Sequence, residues 1–355
     1  MTTDQNRAYY LDVLRIIATV AVIILHVSAQ NWDAVDIHSF AWHVFNFFDS
    51  LVRWAVPVFI MISGAVFLDN DRPLSIQKLY RKNVLRLVIV YFVWATVYAV
   101  DKWIMGATLK DVILSIIGGH YHMWFIPMLI GLYLIVPLLR KITESRTMTL
   151  YLIVLGVIFT FVIPQILQLI NILKVPHTAD LLITTSATFH FMAVKFPGVY
   201  VLYFVLGYAL HKFEIGKNLR KAIYLLGLLG FAATVLLTVW LSYDAGVGVS
   251  SYYLAETINV LLMATALFTW AKYSKRTSRL QEHHIPKLAF LSKCTLGVYL
   301  IHPLILAKLY LWFSISTVSF QPILGMIIVT AIVTVVSFLL SAILNKIPWI
   351  KKYIV

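Results

Sequence analysis

Residues 11–27 read LDVLRIIATVAVIILHV, an apolar run that contains two basic side chains, Arg15 and His26. An ionisable side chain inside a membrane span is costly to place there, so each is a candidate functional group. Arginine keeps its charge, whereas histidine gains and loses a proton near neutral pH, so the pair indicates chemistry rather than anchoring. A rise of about 1.5 Å per residue separates them by roughly 16 Å. This separation predicts a long substrate lying along the helix, held near one face and reacted near the other.

The composition predicts an all-α fold, a polytopic membrane helix bundle. The chain has 355 residues, of which 61% are hydrophobic and 12% charged, and its mean hydropathy is +0.87; this balance is typical of membrane proteins. The lone Cys294 excludes an intramolecular disulfide and a thiolate metal cluster. Because no long polar stretch could fold separately, we predict one transmembrane domain over residues 1–355, with no appended soluble domain.

Hydropathy along the chain predicts about ten transmembrane helices. They run approximately over residues 8–29, 43–68, 83–105, 122–139, 148–171, 196–211, 221–241, 252–271, 290–312 and 322–345. The sixth is short and follows a moderately apolar stretch, Leu181 to Met192, which we interpret as re-entrant or interfacial. The fourth follows Val112–Gly119, which is too short to cross the membrane.

The basic residues predict the orientation of these helices. With the N-terminus in the cytoplasm, 22 of the 29 Lys and Arg residues fall on cytoplasmic segments and 4 on the opposite side. Such an asymmetry places both termini in the cytoplasm. Arg15 then lies in the inner half of the first span, and His26 near its outer end. The net charge of +14 is mainly explained by the Lys and Arg residues on the cytoplasmic segments. We therefore predict membrane lipids as partners, and no nucleic acid.

Two features near the second span are candidates for ligand binding. Ser63, in the stretch VPVFIMISGAVFL (56–68), offers a hydroxyl group where the helix contains proline and glycine. The following segment KLYRKNVLRL carries a basic group, Lys78, Arg81, Lys82 and Arg86, of which several share one helical face at the inner membrane surface. Such a group neutralises anionic lipid, or it binds the phosphates of a nucleotide-bearing cofactor.

Histidines and aromatic residues mark two further spans. His120, His122 and Trp124 lie at the outer end of the fourth span, where interfacial aromatic residues are common. On a helix, positions i and i+2 diverge by about 200°, so we predict that the two histidines share no metal. The ninth span carries Tyr299 and, one turn later, His302. A lone histidine in a bundle is more often a packing residue than a functional one.

Two charged residues need partners. Glu256 opens the eighth span from the outer side, where it orients an imidazole or extends to the headgroups. Arg53 lies in the second span, and its candidate partners are Asp12, Asp49 and Glu256.

Several of these runs together resemble the acyltransferase 3 family of integral membrane O-acyltransferases, and in particular its members of the enterobacterial common antigen type. The runs are Arg15 and His26 separated by ten residues, VPVFIMISG (56–64), KLYRKNVLRL (78–87), HMWFIPMLIGLYLIVPLLR (122–140) and YLIHPLIL (299–306). They follow the family's order and extend over most of the chain. In many members a proline follows the Arg-Leu of the basic motif, whereas here Val88 does, which leaves the local helix start open.

The resemblance implies that an acetyl group passes from cytoplasmic acetyl-CoA to a hydroxyl of a cell-surface or lipid-linked sugar, in the bacterial inner membrane. Arg15 and the basic segment would hold the donor, and His26 would act as general base or as a transient acyl carrier. Arg53, Ser63, His122, Trp124, Glu256, Tyr299 and His302 are the predicted substrate-binding or supporting residues. No metal is expected, and a homo-oligomer is left open.

The main alternative is a transporter or exporter of a lipid-linked sugar or a small polar metabolite, since ten spans with intramembrane charges also suit that class. A sensor module is a weaker alternative. The cytoplasmic basic segment beneath Arg15 and the lack of an obvious half-repeat favour the enzyme.

Overall fold

The computed structural model describes residues 8–172, 198–274 and 285–354, and within these ranges it is helical, with no β-strand. The helices are α1 (Tyr9–Ala29), α2 (Phe40–Val52), α3 (Ala55–Phe67), α4 (Ile76–Lys78), α5 (Leu85–Ile104), α6 (Leu109–Gly118), α7 (Phe125–Thr143), α8 (Arg146–Gly156), α9 (Ile163–Ile172), α10 (Val199–Lys212), α11 (Lys217–Ala245), α12 (Ile258–Tyr273), α13 (Ile285–Phe313), α14 (Pro322–Leu344) and α15 (Pro348–Tyr353).

The predicted polytopic bundle is confirmed. Within the described ranges, nine helical segments are long and apolar enough to cross a membrane. They are Tyr9–Ala29, Phe40–Phe67, Ile76–Ile104, Leu109–Thr143, Arg146–Ile170, Lys217–Ala245, Ser251–Tyr273, Ile285–Phe313 and Pro322–Leu344. The shorter apolar helix Val199–Lys212 corresponds to the predicted sixth span. The stretch from Leu181 to Met192 lies outside the described residues, and the cytoplasmic location of the termini stays a prediction.

Several boundaries differ from the hydropathy reading for local reasons. The second span starts earlier, at Phe40, because the Ser39 side chain caps α2 by accepting a hydrogen bond from the Trp42 amide. The short stretch before the fourth span forms the separate helix α6, which starts with a capping box between Thr108 and Asp111. With no proline after Arg86-Leu87, the chain stays helical from α4 through a π turn, Leu79–Val84, into α5.

Helix α1 lies in the middle of the bundle, where it contacts α2, α3, α12, α13 and α14. Residues at both ends of α1 therefore face several other helices.

Helices α3 and α10 cross at two glycines, Gly64 and Gly207. A Cβ atom at Gly64 would overlap the carbonyl oxygen of Phe204, and one at Gly207 would overlap that of Met61. This backbone-to-backbone approach is typical of small-residue contacts between membrane helices.

Candidate functional site

A cavity of about 580 Å³ lies at the end of the bundle that the charge distribution assigns to the cytoplasm. We call it the inner cavity. Its lining residues come from α1, α3, the π turn with the start of α5, α7, α13, and the segment that follows α14: Arg15, Val22, Val56, Phe59, Ser63, Lys82, Asn83, Arg86, Leu87, Phe125, Leu129, Tyr133, Ser292, Lys293, Thr295, Leu296, Tyr299, Asn345 and Lys351. The volume lies within the usual range of small-molecule sites.

The inner cavity is cationic. Five basic residues line it, namely Arg15, Lys82, Arg86, Lys293 and Lys351, and no Asp or Glu is among the described residues that do so. Such a lining suits a ligand with several negative charges, such as phosphates.

Arg15 is held in this cavity by its own helix and by α13. Its guanidinium lies 3.6 Å from the carboxylate of Asp12, one turn earlier. The Asp12 side chain is buried and also accepts a hydrogen bond of 2.6 Å from the Ser292 hydroxyl. Asp12 therefore orients the arginine while the guanidinium still reaches the cavity.

The four basic residues of the segment that starts at Lys78 differ in their position relative to the inner cavity. Lys82 and Arg86 line the inner cavity, whereas Lys78 and Arg81 are not part of its lining. The π turn Leu79–Val84 changes the helical register between them. Two of the four predicted donor-binding residues of this segment therefore reach the inner cavity.

A second cavity, of about 360 Å³, lies at the opposite end of α1, and we call it the outer cavity. Its lining residues are His26, Ala29, Gln30, His120, Tyr121, Pro303, Leu306 and Ala307. The Tyr121 hydroxyl is 3.4 Å from Nδ1 of His26. Arg15 and His26, predicted as a pair along one helix, thus belong to two different cavities.

Three aromatic or imidazole rings lie between the linings of the two cavities. Tyr299, which lines the inner cavity, has its ring centroid 5.2 Å from that of His122 and 6.2 Å from that of His302. The His302 ring in turn lies 5.0 Å from the ring of His26, and the His122 ring 6.5 Å from it. We call Tyr299, His122 and His302 the ring layer. The 3₁₀ helix Tyr121–Trp124, which carries His122, and helix α13, distant in sequence, form it together.

The hydrogen bonds of His302 define which of its nitrogens carries the proton. Nδ1 is 3.1 Å from the backbone carbonyl oxygen of Val298. A carbonyl oxygen only accepts, so Nδ1 is the protonated nitrogen, and Nε2 of the neutral ring is an acceptor. Nε2 is buried, and no group in the described part of the chain hydrogen-bonds to it. His302 thus keeps an unused hydrogen-bond acceptor, and its ring lies beside that of His26.

The side chains of His120 and His122 are in contact, although positions i and i+2 of a continuous helix would point in different directions. Their Nδ1 atoms are 2.8 Å apart, so one ring donates and the other accepts. Gly119, with a φ of 71°, ends α6, and His120 has an extended backbone before the 3₁₀ helix Tyr121–Trp124. Tyr98 of α5 stacks on His120 at 4.2 Å. The sequence reasoning assumed one continuous helix here and did not include Tyr98 or Tyr121 in the site.

Among the described residues, no group of three or more His, Cys, Asp or Glu side chains could hold a metal ion. The contact between His120 and His122 is a hydrogen bond between their two Nδ1 atoms.

The remaining candidates lie away from both cavities. Arg53 pairs with the buried Asp49 at 2.5 Å, which selects one of its three candidate partners, and its guanidinium lies 3.9 Å from the ring centroid of Tyr253. Trp124 is half-exposed and packs against Tyr200. Glu256 is exposed. Ser63, by contrast, lines the inner cavity and donates a hydrogen bond of 3.1 Å to Phe59 O.

The fold makes the chain a multi-pass membrane protein, with a cationic cavity and a histidine-lined cavity on either side of the ring layer. A family model described as an acyltransferase domain matches residues 8–343, nearly the whole chain. The chain therefore belongs to the acyltransferase 3 family, and it is a membrane acyltransferase. Neither the curated proteins nor the solved structures contain a match to it.

Proposed function

We propose that the protein is an O-acetyltransferase that moves an acetyl group from cytoplasmic acetyl-CoA to a hydroxyl group of a cell-surface or lipid-linked sugar. The observation that carries this proposal is the pair of cavities on α1. The cavity around Arg15 is cationic, and the one around His26 presents imidazole and phenol groups.

The inner cavity supports a CoA donor. Coenzyme A carries a pyrophosphate and a 3′-phosphate, and Lys82, Arg86, Lys293 and Lys351 line the cavity together with Arg15. Phosphate oxygens accept charge-assisted hydrogen bonds from such groups. The extended pantetheine arm has a length of about 15–20 Å at ordinary bond lengths. It would lead the thioester from the phosphate end past Val22 and Phe125 to Tyr299, which also line the cavity.

The outer cavity supports an acceptor hydroxyl beside His26. As a general base, His26 would take the hydroxyl proton while the hydroxyl oxygen attacks the thioester carbonyl. The carbon–sulfur bond breaks, and the proton passes to the leaving thiolate, so that the products are the sugar ester and CoA. The two substrates would meet at the ring layer, the donor from the inner side and the acceptor from the outer side.

A transient acyl carrier is the other role for His26. Its nitrogen would attack the thioester and release CoA, and the hydroxyl would then displace the imidazole from the acyl group. The lining of the outer cavity by His26 favours the general base, because that position brings the imidazole to the acceptor.

The acceptor class and the location in the bacterial inner membrane rest on the family, whose members act on surface sugars. The test compares surface glycans, by mass spectrometry, from cells with the protein, cells without it, and cells with the His26→Ala variant. We expect acetylated sugar only with the unmodified protein. Equal acetylation in all three would contradict the proposal.

A further inference from the structure

The last described helix, α15, contributes to the inner cavity. Helix α14 ends at Leu344, and the chain then turns back, so that both Asn345 and Lys351 line that cavity. The amide of Asn345 caps α14 by donating to Ser341 O at 2.9 Å. Ile350 and Ile354 pack against the main hydrophobic core. The segment is therefore built into the bundle.

A specific hydrogen bond holds this segment against α5. The indole Nε1 of Trp94 donates to the carbonyl oxygen of Ile354 at 3.0 Å, and Trp94 itself is buried. Helix α5 starts immediately after the π turn that carries Lys82, and Arg86 lies in its first turn. The helix that carries Arg86 thus also holds α15 in place.

Two lysines of this segment carry the same charge and lie close together in the sequence, but only one of them lines the inner cavity. Lys346 and Lys351 are both exposed, but Lys351 lines the inner cavity and Lys346 does not. A role in binding anionic lipid would apply to both lysines equally. Contact with a ligand inside the cavity would apply only to Lys351.

We infer that Lys351 binds the phosphates of the acyl-CoA donor, so that α15 forms one wall of the donor site; this inference rests on the proposed function. Residues 344–354, which form this wall, lie beyond residues 8–343 that the family model matches. Lysine suits such a role because its ammonium group acts as a mobile point charge toward phosphate.

The test compares Lys351→Gln with Lys346→Gln in purified protein in nanodiscs, with acetyl-CoA as the donor. We expect Lys351→Gln to raise the donor KM by about three- to tenfold, the range for a partly exposed charged hydrogen bond. The acceptor KM and kcat should stay within twofold, and Lys351→Arg should restore most of the donor KM. The matched control Lys346→Gln should leave all three values within twofold.

Lipid composition separates the donor from the membrane surface as the partner of Lys351. We expect the Lys351→Gln effect to persist in nanodiscs of neutral lipid and to decrease at high salt, where phosphate–lysine attraction is screened. An effect confined to anionic nanodiscs would overturn the inference. So would equal donor KM values for Lys351→Gln and Lys346→Gln.

A second variant tests the position of α15 and not its charge. Trp94→Phe keeps an aromatic ring but removes the indole N–H that holds Ile354. We expect it to raise the donor KM as Lys351→Gln does, with an unchanged acceptor KM. Stabilisation of the unmodified protein by CoA, measured as a shift in thermal unfolding, separates the two proposals. No stabilisation would overturn the proposed function itself, whereas stabilisation that all variants retain equally would overturn only the role of α15.

Discussion

The hydroxyl of Tyr299 donates a hydrogen bond of 2.5 Å to the backbone carbonyl oxygen of His122. Tyr299 belongs to α13 and lines the inner cavity, whereas His122 belongs to the 3₁₀ helix before α7. This bond ties the two elements that form the ring layer. It also leaves the imidazole of His122 directed to its contacts with His120 and His26. A donor that fills the inner cavity would therefore end against the residues that surround His26.

His26→Ala should lower the rate of acetyl transfer by about 10²–10⁴-fold, the usual loss on removal of a general base. The protein should remain folded, because His26 lies at the edge of a cavity and the truncation only enlarges that space. The measurement is initial-rate kinetics in purified protein, with thermal unfolding as the check on folding. His38→Ala, at an exposed histidine outside both cavities, serves as the control. Full activity of the His26 variant would refute the role.

Arg15→Ala should raise the KM for acetyl-CoA more than the KM for the acceptor, by about tenfold or more, because a charge-assisted contact to phosphate is lost. Arg15→Lys should be milder, since it keeps the charge that pairs with Asp12. Steady-state kinetics with each substrate varied in turn provides the measurement. An unchanged donor KM in the alanine variant would count against donor binding by Arg15.

The basic segment from Lys78 to Arg86 allows two double variants to be compared, each of which removes two positive charges. We expect Lys82→Gln with Arg86→Gln to raise the donor KM by about tenfold, because both side chains line the inner cavity. Lys78→Gln with Arg81→Gln removes the same charge from exposed positions and should change the donor KM by less than about twofold. Similar effects of the two double variants would show that the segment acts through its net charge at the membrane surface.

Gly64→Ala and Gly207→Ala should each destabilise the bundle by about 3 kcal/mol, the upper part of the range for overpacking. The new methyl group would meet backbone atoms of the facing helix, which cannot rotate away as a side chain can. Thermal unfolding in detergent measures the effect. Gly131→Ala is the matched control, because nothing lies within 4 Å of the added Cβ and alanine favours a helix. Equal unfolding temperatures for the three variants would contradict the close crossing of α3 and α10.

The spans could be predicted from the sequence because hydropathy is a local property. The short sixth span and the separate piece before the fourth were both recognisable, and both correspond to described helices, α10 and α6. The inner–outer direction of Arg15 and His26 rests on another local property, the charges of the loops, and it stays a prediction. The structure has the two residues in separate cavities at the two ends of α1.

Contacts between individual side chains were harder to predict than the spans. The pairing of Arg53 with Asp49 lies within one helical turn and was one of three alternatives, but the sequence offered no means to choose among them. The His120–His122 contact was missed because the reasoning assumed a continuous helix, whereas Gly119 and an extended His120 end it. Lys293 and Lys351 were among the basic residues that predict the orientation of the spans, but their positions in the sequence did not indicate that they line the cavity around Arg15.

Hydrophobicity, charge asymmetry and motif order are carried by short stretches of chain, so the linear sequence was enough to predict the helical membrane class and the family. The cavities, the ring layer and the wall formed by α15 bring together residues as distant as Arg15 and Lys351. Such proximity follows from how the helices pack and where they bend. Only the tertiary structure could therefore show that five cations face one cavity and that His26 faces the other.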